Sequence, residues 1–420
     1  MSEQREVVII GGGVIGLSTA WFCLKRGHSV TVLERGPDMR DCCSLGNAGM
    51  VVPSHFVPLA APGMISKGLR WMFNPESPFF IRPRFSWELA SWAWRFYRAS
   101  TPQHVLRAAP ILRDLSLRSR SLFEEFDAVD RFDFGLTKKG LLMLCKTDEM
   151  LEEEAEMVAV AEPLGIEAQV LSRHELARLD PGISMDVKGA VYFPQDCHLS
   201  PQRFLASLQS QIEDFGGRIV WETEVNGFQV DGAKIGRVLT ARGEHRADEI
   251  VCAAGAWSPG LARRLPGVSL PMQAGKGYSI TLQNPLALPE ICSILCEAKV
   301  AVTPMGSALR FGGTMEIVGL DQSVNRRRVE GIYKAIPRYF PEFEGADFSA
   351  EPVWSGLRPC TPDGLPYIGR CRNYENVSVA AGHGMLGLSL GPVTGELMAS
   401  MLSGDDPGID CRALSPDRYA

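Results

Sequence analysis

The chain has 420 residues, 45% hydrophobic and 22% charged, with a formal net charge of −6. That length suits two to three domains at about 150 residues each, and the apolar share excludes a mainly disordered chain. The acidic balance excludes a broad electrostatic footprint for nucleic acid, and no apolar run reaches the ~18 residues that span a bilayer.

The opening MSEQREVVII lacks the long apolar stretch and small-residue cleavage site of a secretory leader. Residues 6–10 (EVVII) form a short β-branched run of the kind buried in a parallel sheet. Gly11-Gly12-Gly13-Val14-Ile15-Gly16 follows at once, and 17–26 reads as a helix closed by Gly27. A second strand then ends at Glu34. Each piece has a task in a dinucleotide site. Gly11 makes the turn, Gly13 lets the backbone approach a pyrophosphate, and Gly16 lets helix and strand close up. The helix N-terminus, with Val14 and Ile15 in its first turn, offers N–H groups and partial positive charge to phosphates. Glu34 can accept hydrogen bonds from ribose hydroxyls and would repel a 2′-phosphate. The motif alone does not decide between FAD and NAD.

Arg35 opens a loop that runs through Ser44, Gly46, Asn47, Ala48, Gly49 and Met50. Its small residues let backbone N–H groups approach a flat ring. His55 follows that loop and is placed to line a substrate pocket. Residues 82–120 carry eight arginines and two acids, and Trp71, Trp87, Trp92 and Trp94 lie in or just before them. Two readings of 71–120 are open: peripheral contact with an anionic membrane, or a solvated helix whose aromatics face the core. Residues 150–163 read as an acidic surface helix, and a helix starts after Ser200-Pro201. Residues 217–225 read as a strand returning to the nucleotide domain, with Val225 beside the adenine. Residues 250–255 read as another buried strand. Tyr278 is a candidate hydrogen-bond partner for substrate.

Arg358, in an apolar, turn-rich block, can give planar bidentate hydrogen bonds to a carboxylate; a salt bridge to Asp363 is the alternative. Gly384, Met385, Leu386, Gly387 and Leu388 lead into a helix whose entry again presents N–H groups. His198 and His383 read as structural histidines. The eleven cysteines are odd in number and scattered, which suits reduced thiols of a cytoplasm. None shows zinc-ribbon spacing, and no metal site is expected.

These blocks, in this order, resemble the D-amino acid oxidase-like family of flavoproteins, and within it the bacterial D-amino acid dehydrogenase group. The carrying residues are GGGVIG with Glu34, SLGNAGMVVP, KGYSI at 276–280, WSGLRPCTPDGLPYIGR at 354–370 and AAGHGMLGLSLGPVTG at 380–395. The resemblance implies an α/β chain with noncovalent FAD in a discontinuous Rossmann-like domain (1–62, 190–268 and 345–420). It implies an inserted α+β substrate domain on an antiparallel sheet (63–189 and 269–344). It places Ala254, Gly255, Trp257 and Gly364 near the cofactor, the 384–388 turn at the flavin, and Arg358 on the substrate α-carboxylate.

The implied reaction is oxidative deamination of a D-amino acid, with hydride passing from Cα to flavin N5 and electrons to a quinone or another respiratory-chain acceptor. A membrane-associated enzyme on the inner face of the cytoplasmic membrane is the implied setting. A D-hydroxyproline or proline-type dehydrogenase, an oxygen-using amino acid oxidase and a flavin-bound sensor are the alternatives. A tRNA-modifying relative finds no support, because no methyltransferase-like block is present. Glycine oxidases of the family carry an arginine just after the late histidine, where this chain has Gly384-Met385. Oxygen-using sarcosine oxidases carry a lysine on the strand resembling 308–314, where this chain has Arg310.

Overall fold

Four apolar residues of the first strand, Glu6–Ile10, are buried between two parallel neighbours, Ser29–Leu33 and Glu249–Cys252. Burial on both faces is why these strands read as unbroken aliphatic runs. In the computed structural model, which describes residues 3–38, 42–72 and 76–420, the sheet has six strands. Their order is Tyr367–Arg370, Val377–Ala381, Glu249–Cys252, Glu6–Ile10, Ser29–Leu33 and Arg218–Val220. Only Tyr367–Arg370 runs antiparallel to its neighbour. The nucleotide fold is therefore assembled from distant pieces of chain.

The helix Val14–Lys25 packs against the helices Gly391–Ser403 and Pro201–Asp214. A Cβ on Gly395 would lie 2.5 Å from the backbone carbon of Ser18, so the first pair of helices meets backbone to backbone. The helix Pro102–Asp127 joins the same core through Leu112, Leu115, Leu122 and Phe123. It was expected in the substrate part, within 63–189. Its apolar stripe finds its partner on the nucleotide side instead.

A second sheet of nine strands is mostly antiparallel. Its order is Val353–Cys360, Gln273–Gln283, Ala308–Ile317, Val300–Met305, Cys292–Leu295, Leu141–Cys145, Gly189–Phe193 and Gln169–Ser172, with Phe79–Ile81 paired to Ala308–Ile317. Two pairings in it are parallel. Gly189–Phe193 and Val353–Cys360, most or all of which fall in segments expected in the nucleotide domain, hydrogen-bond into this sheet. The expected boundaries at 190 and 345 thus cut across sheet membership. Both strands satisfy their backbone groups against the large sheet, which sequence spacing does not reveal.

The expected strand 217–225 is split. Arg218–Val220 ends it, Glu222 turns at φ 52°, and Val225 begins a separate three-stranded meander. The break lets the N–H of Glu222 reach the carbonyl of Gly36, and that of Thr223 reach Glu34. The acidic helix is present as Asp148–Ala161.

Candidate active site

One cavity of about 1390 Å³ runs between the two sheets. That exceeds the usual ~300–1,000 Å³ of a small-molecule pocket and leaves room for a dinucleotide and a small substrate together.

At its nucleotide end, Gly11 adopts φ 112°, and a Cβ there would meet the Ala253 carbonyl at 2.5 Å. A Cβ on Gly16 would fall 1.9 Å from the Gly11 carbonyl oxygen, so Gly16 serves packing and is absent from the cavity wall. Gly13 is the helix N-cap and brings no side chain to the first-turn N–H groups. Val14 donates its N–H to Ser44 Oγ at 3.1 Å; Val14, Ile15 and Ser44 all face the cavity. The Glu34 carboxylate accepts the N–H groups of Gly12 and Gly36 at 2.7 and 2.8 Å. Arg35 stacks 3.8 Å from the Trp257 ring centre. Val225, Ala254 and Gly255 complete this end of the wall.

Past the nucleotide end, Gly46, Asn47, Ala48 and Met50 line the cavity. Gly49 does not; it sits at φ 80° with the Leu199 carbonyl 2.3 Å from where a Cβ would be. The loop is held by Arg310, whose Nη1 donates to the carbonyls of Leu45 and Asn47 at 3.0 and 2.7 Å and whose Nε donates to Thr281. Burial lowers the Arg310 pKa to about 10. This clamp escaped sequence reasoning; its one trace is a lone cation in an apolar strand. Gly384, Met385, Leu386, Gly387 and Leu388 form the opposite wall, but as a 3₁₀ turn, with the helix starting only at Gly391. Gly364, expected at the cofactor, lines a small side chamber instead, beside Leu59.

The substrate end is built on the large sheet. Arg358 pairs in register with Gly275, and its Nη1 donates to the Thr314 carbonyl at 2.6 Å. A Cβ on Gly277 would sit 2.2 Å from that nitrogen, so the guanidinium lies across a glycine. Thr314 holds φ 71°, a strained conformation for a β-branched residue. Burial lowers the Arg358 pKa, and its thiol neighbours Cys43 and Cys360 are pushed up to about 12 and about 11, so both are neutral. Asp363, the alternative partner, is taken by Arg418 at 2.7 and 2.9 Å. Among the described residues Arg358 has no carboxylate partner.

Tyr278 reaches the wall, but its hydroxyl donates to Glu316 at 2.5 Å and accepts the Asn325 N–H at 3.1 Å. That engagement departs from the expected direct bond to substrate. His55 lines the cavity, and burial pushes its pKa down to about 4. His383 bonds Thr394 through Nε2, and burial takes it to about 3.

These residues fit FAD. The N-cap of the helix is a glycine with no side chain of its own, an acid ends the second strand, and Trp354 Nε1 and His383 Nδ1 are buried in the wall without a partner among the described residues. No group of His, Cys, Asp and Glu among the described residues is arranged to hold a metal.

The family model for FAD dependent oxidoreductases matches residues 6–401. D-amino acid dehydrogenase of Granulibacter bethesdensis is 33% identical over 99% of this chain and 100% of its own length. The enzyme of that name from Bradyrhizobium diazoefficiens is 33% identical over 99% of each. The crystal structure of glycine oxidase from Geobacillus kaustophilus superposes with a TM-score of 0.79 at 26% identity, covering 100% of both chains. L-proline dehydrogenase from P. horikoshii shares the fold at a TM-score of 0.75 and 19% identity. Fold and site thus define a flavin-dependent oxidoreductase. The chain belongs to the D-amino acid oxidase-like (DAO) family of FAD-dependent amino acid dehydrogenases and oxidases.

Proposed function

We propose that this protein oxidises the Cα–N bond of a D-amino acid, releasing a 2-oxo acid and ammonia after imine hydrolysis, and passes the electrons to a quinone or another carrier. What supports this reading most is Arg358, a half-buried guanidinium on the cavity wall that no carboxylate among the described residues meets. Such a cation invites an anionic ligand group, and a planar fork suits a carboxylate. FAD, when bound, supplies the two-electron acceptor. Arg358 fixes the carboxylate and so orients Cα–H, and the apolar wall excludes water from the reacting carbon. Arg310 holds the 45–47 loop that borders the same space. Its donors are spent on carbonyls and a threonine hydroxyl, which makes it a positioning residue rather than a counter-charge for oxygen.

Phe85, Trp87, Trp94 and Tyr97 are exposed beside the basic stretch and are proposed to meet an anionic membrane surface. Four of that stretch's arginines pair with carboxylates: Arg82, Arg113, Arg118 and Arg120. Its free positive charge is therefore smaller than composition implied. Residues 73–75 of the 71–120 segment lie outside the described residues. No helix among the described residues is long and apolar enough to cross a membrane.

The test is anaerobic mixing of the FAD-loaded protein with a panel of D- and L-amino acids, D-hydroxyproline included, while flavin absorbance is followed. Bleaching by D-amino acids is expected. Absence of bleaching by any amine would sink the proposal.

A further inference from the structure

Behind the cavity wall stands a polar chain of three residues, Asp196, Ser54 and His55. Asp196, in the turn between Gly189–Phe193 and Cys197–His198, is 0% exposed. Its Oδ1 accepts the Ser54 N–H at 3.1 Å, and its Oδ2 accepts the Ser54 hydroxyl at 2.5 Å. Ser54 Oγ lies 2.9 Å from His55 Nδ1. His55 Nε2 has no partner among the described residues, and the imidazole borders both the main cavity and the side chamber. A fully buried carboxyl without an ion pair, bonded by a single serine, is rare unless it has work to do.

A hydroxyl donates one proton and can accept another. When Asp196 is ionised, Ser54 donates to it and accepts from His55 Nδ1–H, so the lone pair sits on Nε2. When Asp196 is protonated, the bonds reverse, Nδ1 becomes an acceptor and the proton moves to Nε2. The carboxyl therefore selects the tautomer of the histidine that faces the cavity.

We propose that Asp196, Ser54 and His55 form a relay that removes the ammonium proton of the bound amino acid, with His55 Nε2 as the atom that meets it and Ser54 and Asp196 as positioning residues behind it. The proposal rests on the amine-oxidising reading of the site. In the relay one substrate N–H bond breaks and an Nε2–H bond forms. The Nδ1 proton passes to Ser54 Oγ, and the Ser54 proton passes to Asp196 Oδ2. No electrons are exchanged; the nitrogen gains the lone pair that must be free before hydride can leave Cα. After product departs, the same path reversed returns the proton to water.

The charges around the chain suit this role. Arg120, itself paired with Glu124, faces Asp196 and favours the carboxylate. Cys197 and Cys292 beside it are neutral thiols, raised by burial. Burial, and to a lesser degree Lys299, keeps His55 neutral, and burial keeps His383 across the side chamber neutral too. Burial lifts Asp196 to about 7, so the acceptor titrates near neutral pH, where proton transfer is most effective.

Asp196→Asn keeps the side-chain shape, but its amide N–H donates to Ser54 and turns the hydroxyl toward Nδ1. The FAD-loaded protein with isotope-labelled histidine is read by nitrogen NMR above the Asp196 titration, with His55→Gln assigning the signal. The wild-type His55 proton is expected on Nδ1, and in Asp196→Asn on Nε2. In kinetics, the acid limb of kcat/KM near pH 7 is expected in the wild type and lost in both Asp196→Asn and Ser54→Ala. In both variants kcat falls about 10²-fold at little change in KM, and Asp196→Glu recovers part of it. A tautomer that Asp196→Asn does not move, or a limb that persists in both variants, overturns the relay alone. Wild-type protein bleached by no amine overturns the relay together with the reading on which it rests.

Discussion

Arg358 and Asp363 stand five positions apart, and the difference in their partners carries most of the functional argument. Asp363 is neutralised by Arg418, while Arg358 spends one donor on a strained carbonyl and keeps its fork toward the cavity. That placement depends on Gly277. Gly277→Ala would put a methyl group 2.2 Å from the Arg358 guanidinium nitrogen and displace it. KM for the amino acid is then expected to rise about tenfold or more, since a charge-assisted hydrogen bond is worth about 1.5–3 kcal/mol, while FAD content stays unchanged; both are read on the purified variant. Asp196 gives a second prediction at this scale. Its folded pKa, about 7, lies above its unfolded value, so the native state holds the proton more tightly. Stability is then fully present below pH ~4 and falls as pH rises toward 7. In urea titrations across that range, Asp196→Asn is expected to show a shallower decline than wild type. The arginine was legible from the sequence because its chemistry stands out in an apolar block. The Ser54–Asp196 contact was not, because it joins residues 142 positions apart that no motif links.

Among the elements, the strand–glycine turn–helix unit at the N-terminus was legible in detail, since turn chemistry and apolar period agree there. The helix Pro102–Asp127 was misplaced because amphipathicity says that a face is buried and not against what. The strand after Gly217 was read too long, because hydrogen bonds to the Glu34 loop bend it and its residue types do not. The glycine excess likewise divides by element. Gly11 and Gly13 face the cavity, whereas Gly16, Gly49 and Gly395 serve backbone packing behind it. Gly395→Ala forces a Cβ against the Ser18 backbone and should destabilise the protein by about 1–3 kcal/mol. A lower midpoint in thermal melts followed by circular dichroism, with earlier release of flavin fluorescence, is the expected result. An unchanged midpoint would show that the two helices can part at no cost.

On the scale of the whole molecule, two sheets share one cavity, whose wall carries both the nucleotide signature and Arg358. The exposed aromatics at Phe85, Trp87, Trp94 and Tyr97 lie outside both cores. If they meet membrane, the protein co-sediments with anionic vesicles, less so at high salt. Replacing Trp87 and Trp94 together with serine then abolishes binding without changing turnover on a soluble acceptor. The central claim, that this cavity oxidises an amino acid held by Arg358, is tested most directly by anaerobic stopped-flow. Wild type and Arg358→Ala, matched for FAD content, are mixed with increasing concentrations of a D-amino acid. The wild-type bleaching rate should saturate, whereas the variant should retain its FAD and bleach only at concentrations ~10–100-fold higher, as loss of a charged hydrogen-bond pair requires. Equal concentration dependence in the two proteins would contradict the account.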